Sequence, residues 1–247
     1  MNPRAQAQTW YSSWFDTPYY HLLYKNRDEQ EARSFINLLC DYLNLPKKSL
    51  ALDLACGRGR HAKVMAENGL HVTGLDLSSS SIAEARKMAS NSLHFFEHDM
   101  REVWKPAYFD LTFNLFTSFG YFDDPKEDQQ VLEAVRTGLK PGGLFVFDYL
   151  HTDFVAETHV PSEEKQVEDI QFSISRHITN EWIIKQISFE DAGNYYRFFE
   201  KVRNYSPEQL TALLHKSGFE ILRTFGNYAL EAPQPDSPRC IFIARCL

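Results

Sequence analysis

The chain has 247 residues, with 26 Lys and Arg against 33 Asp and Glu, 43% apolar and 14% aromatic. That length gives a core without metal or disulfide staples, and the net charge of −7 argues against a general nucleic-acid binder, which carries a basic surface. No apolar run approaches the roughly 18 residues that span a bilayer, Met1 to Trp14 lacks the pattern of a secretory leader, and Cys40, Cys56, Cys240 and Cys246 match neither a zinc site nor a disulfide framework, which points to a reducing, cytoplasmic setting.

Along the chain, residues 10–24 are dense in aromatic side chains. Residues 28–42 repeat Ala32, Phe35, Ile36, Leu39 and Tyr42 near the 3.6 period and predict a helix that Pro46 ends. Strands and helices then alternate. Residues 50–54 predict a buried strand, 61–67 a helix stopped by Asn68-Gly69, and 71–77 a second strand. Ser78 to Ser81 offer caps, and Ser81 with Glu84 fits a capping box for a helix to about residue 89. Third and fourth strands fall at 93–97 and 109–116, a helix at 126–139, and a fifth strand at 143–149 after the turn Lys140-Pro141-Gly142-Gly143. Such alternation predicts an α/β protein, a parallel sheet with helices on both faces.

Beyond residue 150 the rhythm changes. Residues 167–178, 181–189 and 195–204 predict three adjacent strands with short connections, an antiparallel meander. Ser206-Pro207-Glu208-Gln209 opens a helix as cap, first-turn proline and capping-box partner, and Gly218 ends it. Residues 219–228 and 240–246 predict two last strands around a loop holding Pro233, Pro235 and Pro238.

The segment Leu52-Asp53-Leu54-Ala55-Cys56-Gly57-Arg58-Gly59-Arg60-His61-Ala62 carries most of the chemistry. A strand runs into a Gly-x-Gly turn that opens a helix, and ligands in such sheets bind at the carboxyl ends of strands. Gly57, Gly59 and Ala62 satisfy a relaxed dinucleotide fingerprint, and Asp76 ends the next strand where an acid holds a ribose. Taken alone, these residues fit a dinucleotide or another adenosine ligand. Asp53 separates the two. A carboxylate inside an apolar strand is costly unless paired, and it would repel a pyrophosphate. The sulfonium and α-ammonium of S-adenosylmethionine would welcome it.

Five segments in order and at suitable spacing carry a family resemblance: Asp53 to Gly59, Gly74-Leu75-Asp76-Leu77-Ser78, Glu97-His98-Asp99-Met100, Asp110 to Phe116, and Leu139-Lys140-Pro141-Gly142-Gly143. With them the chain resembles the class I S-adenosylmethionine-dependent methyltransferases over about residues 45–150. The aromatic N-terminus and the meander are similar, more loosely, to the small-molecule subgroup of sugar, glycine and sarcosine N-methyltransferases. The resemblance implies a Rossmann-like seven-stranded sheet with helices on both faces, its last strand antiparallel, and a β-meander inserted after strand five. It also implies residues 1–45 as a helical, aromatic cofactor cover and 46–247 as the methyltransferase domain, with the meander cap at about 153–205.

For the cofactor it implies Ala55, Cys56, Gly57 and Gly59 at the methionine part, Asp53 toward the ammonium, Asp76 on both ribose hydroxyls and Leu77 on the adenine. Asp99 would accept from the adenine amino group, and the Met100 N–H would reach a ring nitrogen. Asn114, Leu115 and Phe116 would border the sulfonium, with Tyr20 and Arg33 covering the cofactor and its carboxylate. Phe119 and Tyr121, after strand four, and Tyr195 and Arg197, on the meander, are expected at the acceptor. Tyr121, His151 and His177 are the possible bases, and the catalytic residues stay open, since an amine acceptor needs little acid–base help whereas a hydroxyl or carbon acid needs a base.

The expected activity is methyl transfer to a small-molecule N, O or C nucleophile, without metal, membrane or nucleic acid. Monomer and homodimer stay open, as do lid and subunit contact for the meander. The rival readings are an NAD-dependent oxidoreductase, a non-catalytic S-adenosylmethionine-binding protein, and an RNA or protein methyltransferase.

Overall fold

A computed structural model describes residues 10–25 and 29–247. Residues 1–9 and the predicted helix start at Asp28 lie outside the described residues. The chain divides into two compact units, one of Asp28–Thr158 with Tyr205–Leu247, the other of Met1–Arg27 with His159–Asn204.

In chain order the elements are α1 (Trp10–Phe15), α2 (Pro18–Leu23), α3 (Glu29–Leu43), β1 (Leu50–Leu54), α4 (Arg60–Glu67), β2 (His71–Asp76), α5 (Ser79–Ala85), β3 (Leu93–Glu97), β4 (Phe109–Asn114) and α6 (Pro125–Gly138). They continue with β5 (Leu139–Leu150), α7 (Thr152–Thr158), β6 (Ser162–Val167), β7 (Ile170–Ile178), β8 (Trp182–Asp191), β9 (Asn194–Arg203), α8 (Pro207–Lys216), β10 (Phe219–Phe225) and β11 (Arg239–Cys246).

The larger unit is built on a seven-stranded sheet ordered β10-β11-β5-β4-β1-β2-β3. β1 pairs in parallel with β2 and with β4, and the chain order reverses between those two neighbours. Strands enclosed in this way are covered on both faces and read as continuous apolar runs, as Leu50, Ala51, Leu52 and Leu54 do around the single acid Asp53. β11 is antiparallel to both β5 and β10. Phe35, Ile36 and Leu39 of α3 pack into the same core as Ala62 and Met65 of α4.

The smaller unit is a four-stranded antiparallel sheet, β6 to β9 in sequence order. Trp14 of α1 and Leu23 of α2 share its core with Phe172, Ile174, Ile187 and Phe189. Trp14 donates its indole N–H to Glu200 at 2.9 Å, and the Tyr24 hydroxyl donates to the same carboxylate at 2.6 Å.

Local structure departs from the sequence reading at four points. The meander has four strands, because Val167 pairs with Ile170 across a two-residue turn with Glu168 at φ +52°. Ser78, not Ser81, caps α5, its hydroxyl accepting from the Ser81 N–H at 3.0 Å, and a 3₁₀ turn at Arg86–Met88 ends that helix early. The Lys140 to Gly143 turn is an irregularity inside β5, where the register shifts between Phe109 and Leu111 of β4. A short helix, α7, follows β5 where only a change of rhythm was expected. The Ser206–Gln209 capping box forms as expected, each side chain meeting the other residue's backbone N–H.

Candidate functional site

The carboxyl ends of β1, β2 and β4 bring the glycine turn, Asp76 and Asn114 to one edge of the large sheet. The turn needs unusual backbone: Ala55, Gly57 and Gly59 have φ of +59°, +55° and +80°. The two glycines serve different ends. A Cβ on Gly57 would meet nothing within 4 Å, so the backbone there faces open space. A Cβ on Gly59 would lie 2.6 Å from the Phe95 ring, so Gly59 is needed for close packing of turn against strand.

Asp76 ties the turn to β2. Its two carboxylate oxygens accept the Gly57 and Ser78 N–H groups, each at 2.8 Å. The carboxylate is thereby oriented at the strand end before any ligand arrives. Cys56 continues the sheet by donating its N–H to the Leu75 carbonyl at 3.0 Å. Burial pushes the Cys56 thiol well up, with Asp53 and Asp76 adding to it, so it stays a protonated, inert side chain.

Asp53 is 2% exposed, and its Oδ2 has no hydrogen-bond partner. Burial raises its pKa to about 7; Asp76 adds to the rise, while the Ala62 N–H and Arg60 oppose it. Across the turn, Asn114 is also buried. Its amide donates to the carbonyls of Leu54 and Ser118, at 3.2 and 3.1 Å, and its Oδ1 has no partner. Two buried acceptors at one sheet edge lack donors. An ammonium offers such donors, and a pyrophosphate offers none.

β4 runs into a strained corner. Phe116 and Thr117 both have positive φ, +58° and +60°. The Phe116 ring stacks on His61 of α4 at 4.8 Å and on Tyr228 at 5.0 Å, and the Arg60 guanidinium lies 4.9 Å from its centroid.

Several expected site residues lie elsewhere or are already engaged. Arg33 is exposed and ion-paired with Glu67 at 2.5 Å. Glu67 closes α4, which starts at the carboxyl edge and carries its last residue roughly 10 Å away from it. Phe119 is 1% exposed and packs edge-on to Phe147 and Tyr149, which makes it core rather than pocket. Asp99 accepts from both the backbone N–H and the guanidinium of Arg101, and Arg101 also pairs with Glu127. Despite partial burial, Arg101 holds the Asp99 carboxyl below the usual range. His151 precedes α7, and its Nδ1 faces the Phe154 N–H at 3.4 Å, a capping arrangement. The Tyr121 hydroxyl donates to the Thr117 carbonyl at 2.8 Å.

Leu77 and Met100 are half-buried beside Asp76 and Asp99, and Leu115 is buried next to Asn114. Tyr20, His177, Tyr195 and Arg197 belong to the smaller unit. There Tyr20 packs against Trp14 and Phe15, Tyr195 is 65% exposed, and Arg197 donates to Gln186 at 2.6 Å.

Sequence reasoning did not single out Asp148, Thr117, Tyr228 and Arg239, which the structure joins by hydrogen bonds beside the end of β4. The signal was present: Asp148 is a lone acid in an apolar strand, as Asp53 is, and a buried charge needs a partner.

A mixed sheet with a reversal at β1/β4, an antiparallel β11 and a glycine turn facing an acid define a Rossmann-like enzyme fold. The model of the methyltransferase domain matches residues 51–143, from β1 into β5. The chain is 30% identical over 213 residues to YqeM of Bacillus subtilis (strain 168), which carries a provisional methyltransferase name; the match covers 82% of this chain and 86% of that one. It is 25% identical over 193 residues to the dTDP-3-amino-3,4,6-trideoxy-alpha-D-glucopyranose N,N-dimethyltransferase of Streptomyces venezuelae, covering 75% and 78%. In fold it matches an S-adenosylmethionine-dependent methyltransferase from Clostridium acetobutylicum ATCC 824, with TM-score 0.76, 23% identity, and coverage of 92% and 95%. The chain belongs to the class I S-adenosylmethionine-dependent methyltransferase family. It is therefore an enzyme, and S-adenosylmethionine is its methyl donor. These matches favour neither a nicotinamide oxidoreductase nor a non-catalytic protein. Among the described residues no helix is long and apolar enough to cross a membrane.

Proposed function

We propose that the enzyme methylates a small-molecule nucleophile, with an amine as the favoured acceptor. The observation that carries the cofactor side is the buried, unpartnered Oδ2 of Asp53, four residues before the open backbone of Gly57. Bound there, S-adenosylmethionine supplies a methyl group on a cationic sulfur, transferred by in-line displacement. Asp53 and Asn114 would offer acceptors to the ammonium. Asp76 would accept from the ribose hydroxyls, a task for which Gly57 and Ser78 already hold it in place. Leu77 would pack on the adenine, and the Met100 N–H would reach a ring nitrogen. Because Asp99 is bound by Arg101, its share in adenine binding would fall on the same oxygens that the guanidinium holds. Arg60, at the first turn of α4 with its guanidinium 4.9 Å from the Phe116 ring centroid, would meet the cofactor carboxylate.

The amine reading rests on two observations. The Streptomyces venezuelae relative is named for an amino-sugar substrate. In addition, Nδ1 of His151 faces the Phe154 N–H and the hydroxyl of Tyr121 donates to the Thr117 carbonyl, so neither of these two atoms is presented as a base. A neutral amine needs alignment and exclusion of water more than a base.

Calorimetry with S-adenosylhomocysteine and with NADH tests the cofactor, and a panel of amino sugars, small amines, phenols and carbon acids tests the acceptor. Micromolar or tighter binding of S-adenosylhomocysteine, with turnover confined to amines, is expected. Tight NADH binding with no response to S-adenosylhomocysteine would sink the reading.

A further inference from the structure

Asp148 lies in β5, 0% exposed, and both of its carboxylate oxygens have donors. Its Oδ1 accepts from the Arg239 Nε at 2.8 Å, and the Arg239 Nη2 lies 2.7 Å from the same oxygen. Its Oδ2 accepts from the Phe116 N–H at 2.7 Å and from the Tyr228 hydroxyl at 3.2 Å. Its backbone carbonyl accepts from the Thr117 N–H at 3.2 Å. Arg239 completes the ring by donating from Nη2 to the Thr117 hydroxyl at 2.9 Å. The register explains the reach: Asp148 sits opposite Ile241 of β11, and Arg239 is two residues along on the same face.

A carboxylate that accepts so many donors and is paired with a guanidinium is a poor base. Its partners instead converge on one feature, the two consecutive non-glycine residues with positive φ after β4. Left-handed conformations are strained for Phe and Thr and persist only where surroundings over-determine them. The surroundings here are Asp148, which binds both N–H groups, and Arg239, which binds the Thr117 side chain. Tyr228 is fixed by the same carboxylate and covers the Phe116 ring.

We infer that the buried Asp148–Arg239 pair is a positioning device that clamps the Phe116-Thr117 corner, and with it the aromatic wall His61, Phe116 and Tyr228, in the geometry the cofactor site requires. The inference rests on the cofactor reading above. Asp148 and Arg239 are positioning residues, acting through the corner.

The test uses the full chain, S-adenosylhomocysteine as probe, and amide hydrogen exchange. In Asp148→Asn, affinity is expected to fall about tenfold, and exchange at Phe116 and Thr117 to quicken while the Leu52 and Leu54 amides keep their protection. Adding Thr117→Asn to Asp148→Asn supplies a residue that tolerates the left-handed region and keeps an acceptor. It is expected to recover about threefold of that loss, and a mere loss of stability would not be recovered in this way. Unchanged affinity and unchanged corner exchange in a folded Asp148→Asn would overturn the inference. So would exchange that rises equally at Leu52 and Leu54 with no recovery from the second substitution. If Asp148→Asn does not fold, Arg239→Lys keeps the charge but loses the fork that spans Asp148 and Thr117. There, about threefold weaker binding with faster corner exchange is expected, and no change in either overturns the inference. A wild-type chain that ignores S-adenosylhomocysteine, while corner exchange responds as described, refutes the cofactor reading alone.

Discussion

Asp53 shows how one side chain couples the site to pH. An unfolded carboxyl titrates near 4, while burial raises the folded one to about 7. Between those values the folded state holds a proton that the unfolded state has lost. Stability of the unliganded enzyme therefore falls as pH rises through that window and levels off above it, a cost of about 4 kcal/mol from this group. Thermal or urea unfolding of Asp53→Asn against wild type between pH 4 and 8 isolates the effect, the variant being flatter. A cation seated on Asp53 favours its ionised form, so S-adenosylhomocysteine should release up to one proton at pH 6 and close to none above pH 8. Calorimetry in two buffers of different ionisation enthalpy measures this. Asp76→Ala should weaken the same ligand by about 1.5–3 kcal/mol through loss of charge-assisted bonds; unchanged affinity in a folded variant would remove Asp76 from the ribose. The positions of both acids were legible in the sequence, Asp53 as a lone carboxylate inside an apolar strand and Asp76 as the acid closing the strand after the glycine turn. The pairing of Arg33 with Glu67 was not legible, because a helix periodicity tells which face a residue occupies but not which end of the sheet it reaches.

At the scale of elements, the glycine turn and the segment after β4 separate packing from function. Gly59→Ala drives a Cβ onto the Phe95 ring and should destabilise by about 2 kcal/mol or more, overpacking added to strain. Gly57→Ala meets open space and carries strain alone, so its larger effect should fall on ligand affinity. Denaturation and calorimetry on the pair check the split, and equal losses of stability would contradict it. Phe119→Ala should cost about 3–5 kcal/mol, as a fully buried ring does. The aromatic run Phe116 to Phe122 looked uniform in sequence. In the structure it alternates between wall and core, because two left-handed residues redirect the chain immediately after β4. Nothing in the types Phe and Thr announces a positive φ. The fourth meander strand escaped notice for the same reason, its turn resting on Glu168 at φ +52° rather than on a glycine.

For the whole molecule, the alternation of strands and helices made the large sheet and its helices readable from the first strand to the fifth. That the last strand runs antiparallel came from family resemblance rather than from periodicity, since antiparallel closure leaves no local mark, and its place between β5 and β10 was not read from the sequence. A ligand that binds only the folded state stabilises it by mass action. S-adenosylhomocysteine at a hundredfold excess over its Kd should contribute about 2.7 kcal/mol, an increase of roughly 5–10 °C in the transition that melts the large sheet. Scanning calorimetry with and without ligand measures it, and an unmoved transition at saturation would mean that the ligand lies outside that sheet.

The position of β11 also dictates a hazard during synthesis. It follows β10 in the chain but lies between β5 and β10 in space. Until it docks, β5 is an open edge whose run Leu144-Phe145-Val146-Phe147-Asp148-Tyr149-Leu150 is apolar, aromatic and free of proline, the kind of strand that recruits other chains. Asp148 is the one charge in that run. On the nascent chain the carboxylate that later binds at the Phe116-Thr117 corner would oppose intermolecular pairing until Arg239 arrives with β11 to neutralise it. Replacing Asp148 with a neutral residue removes that protection when the edge is most exposed, so such variants are expected to partition toward insoluble aggregates on expression even where the folded state tolerates the change.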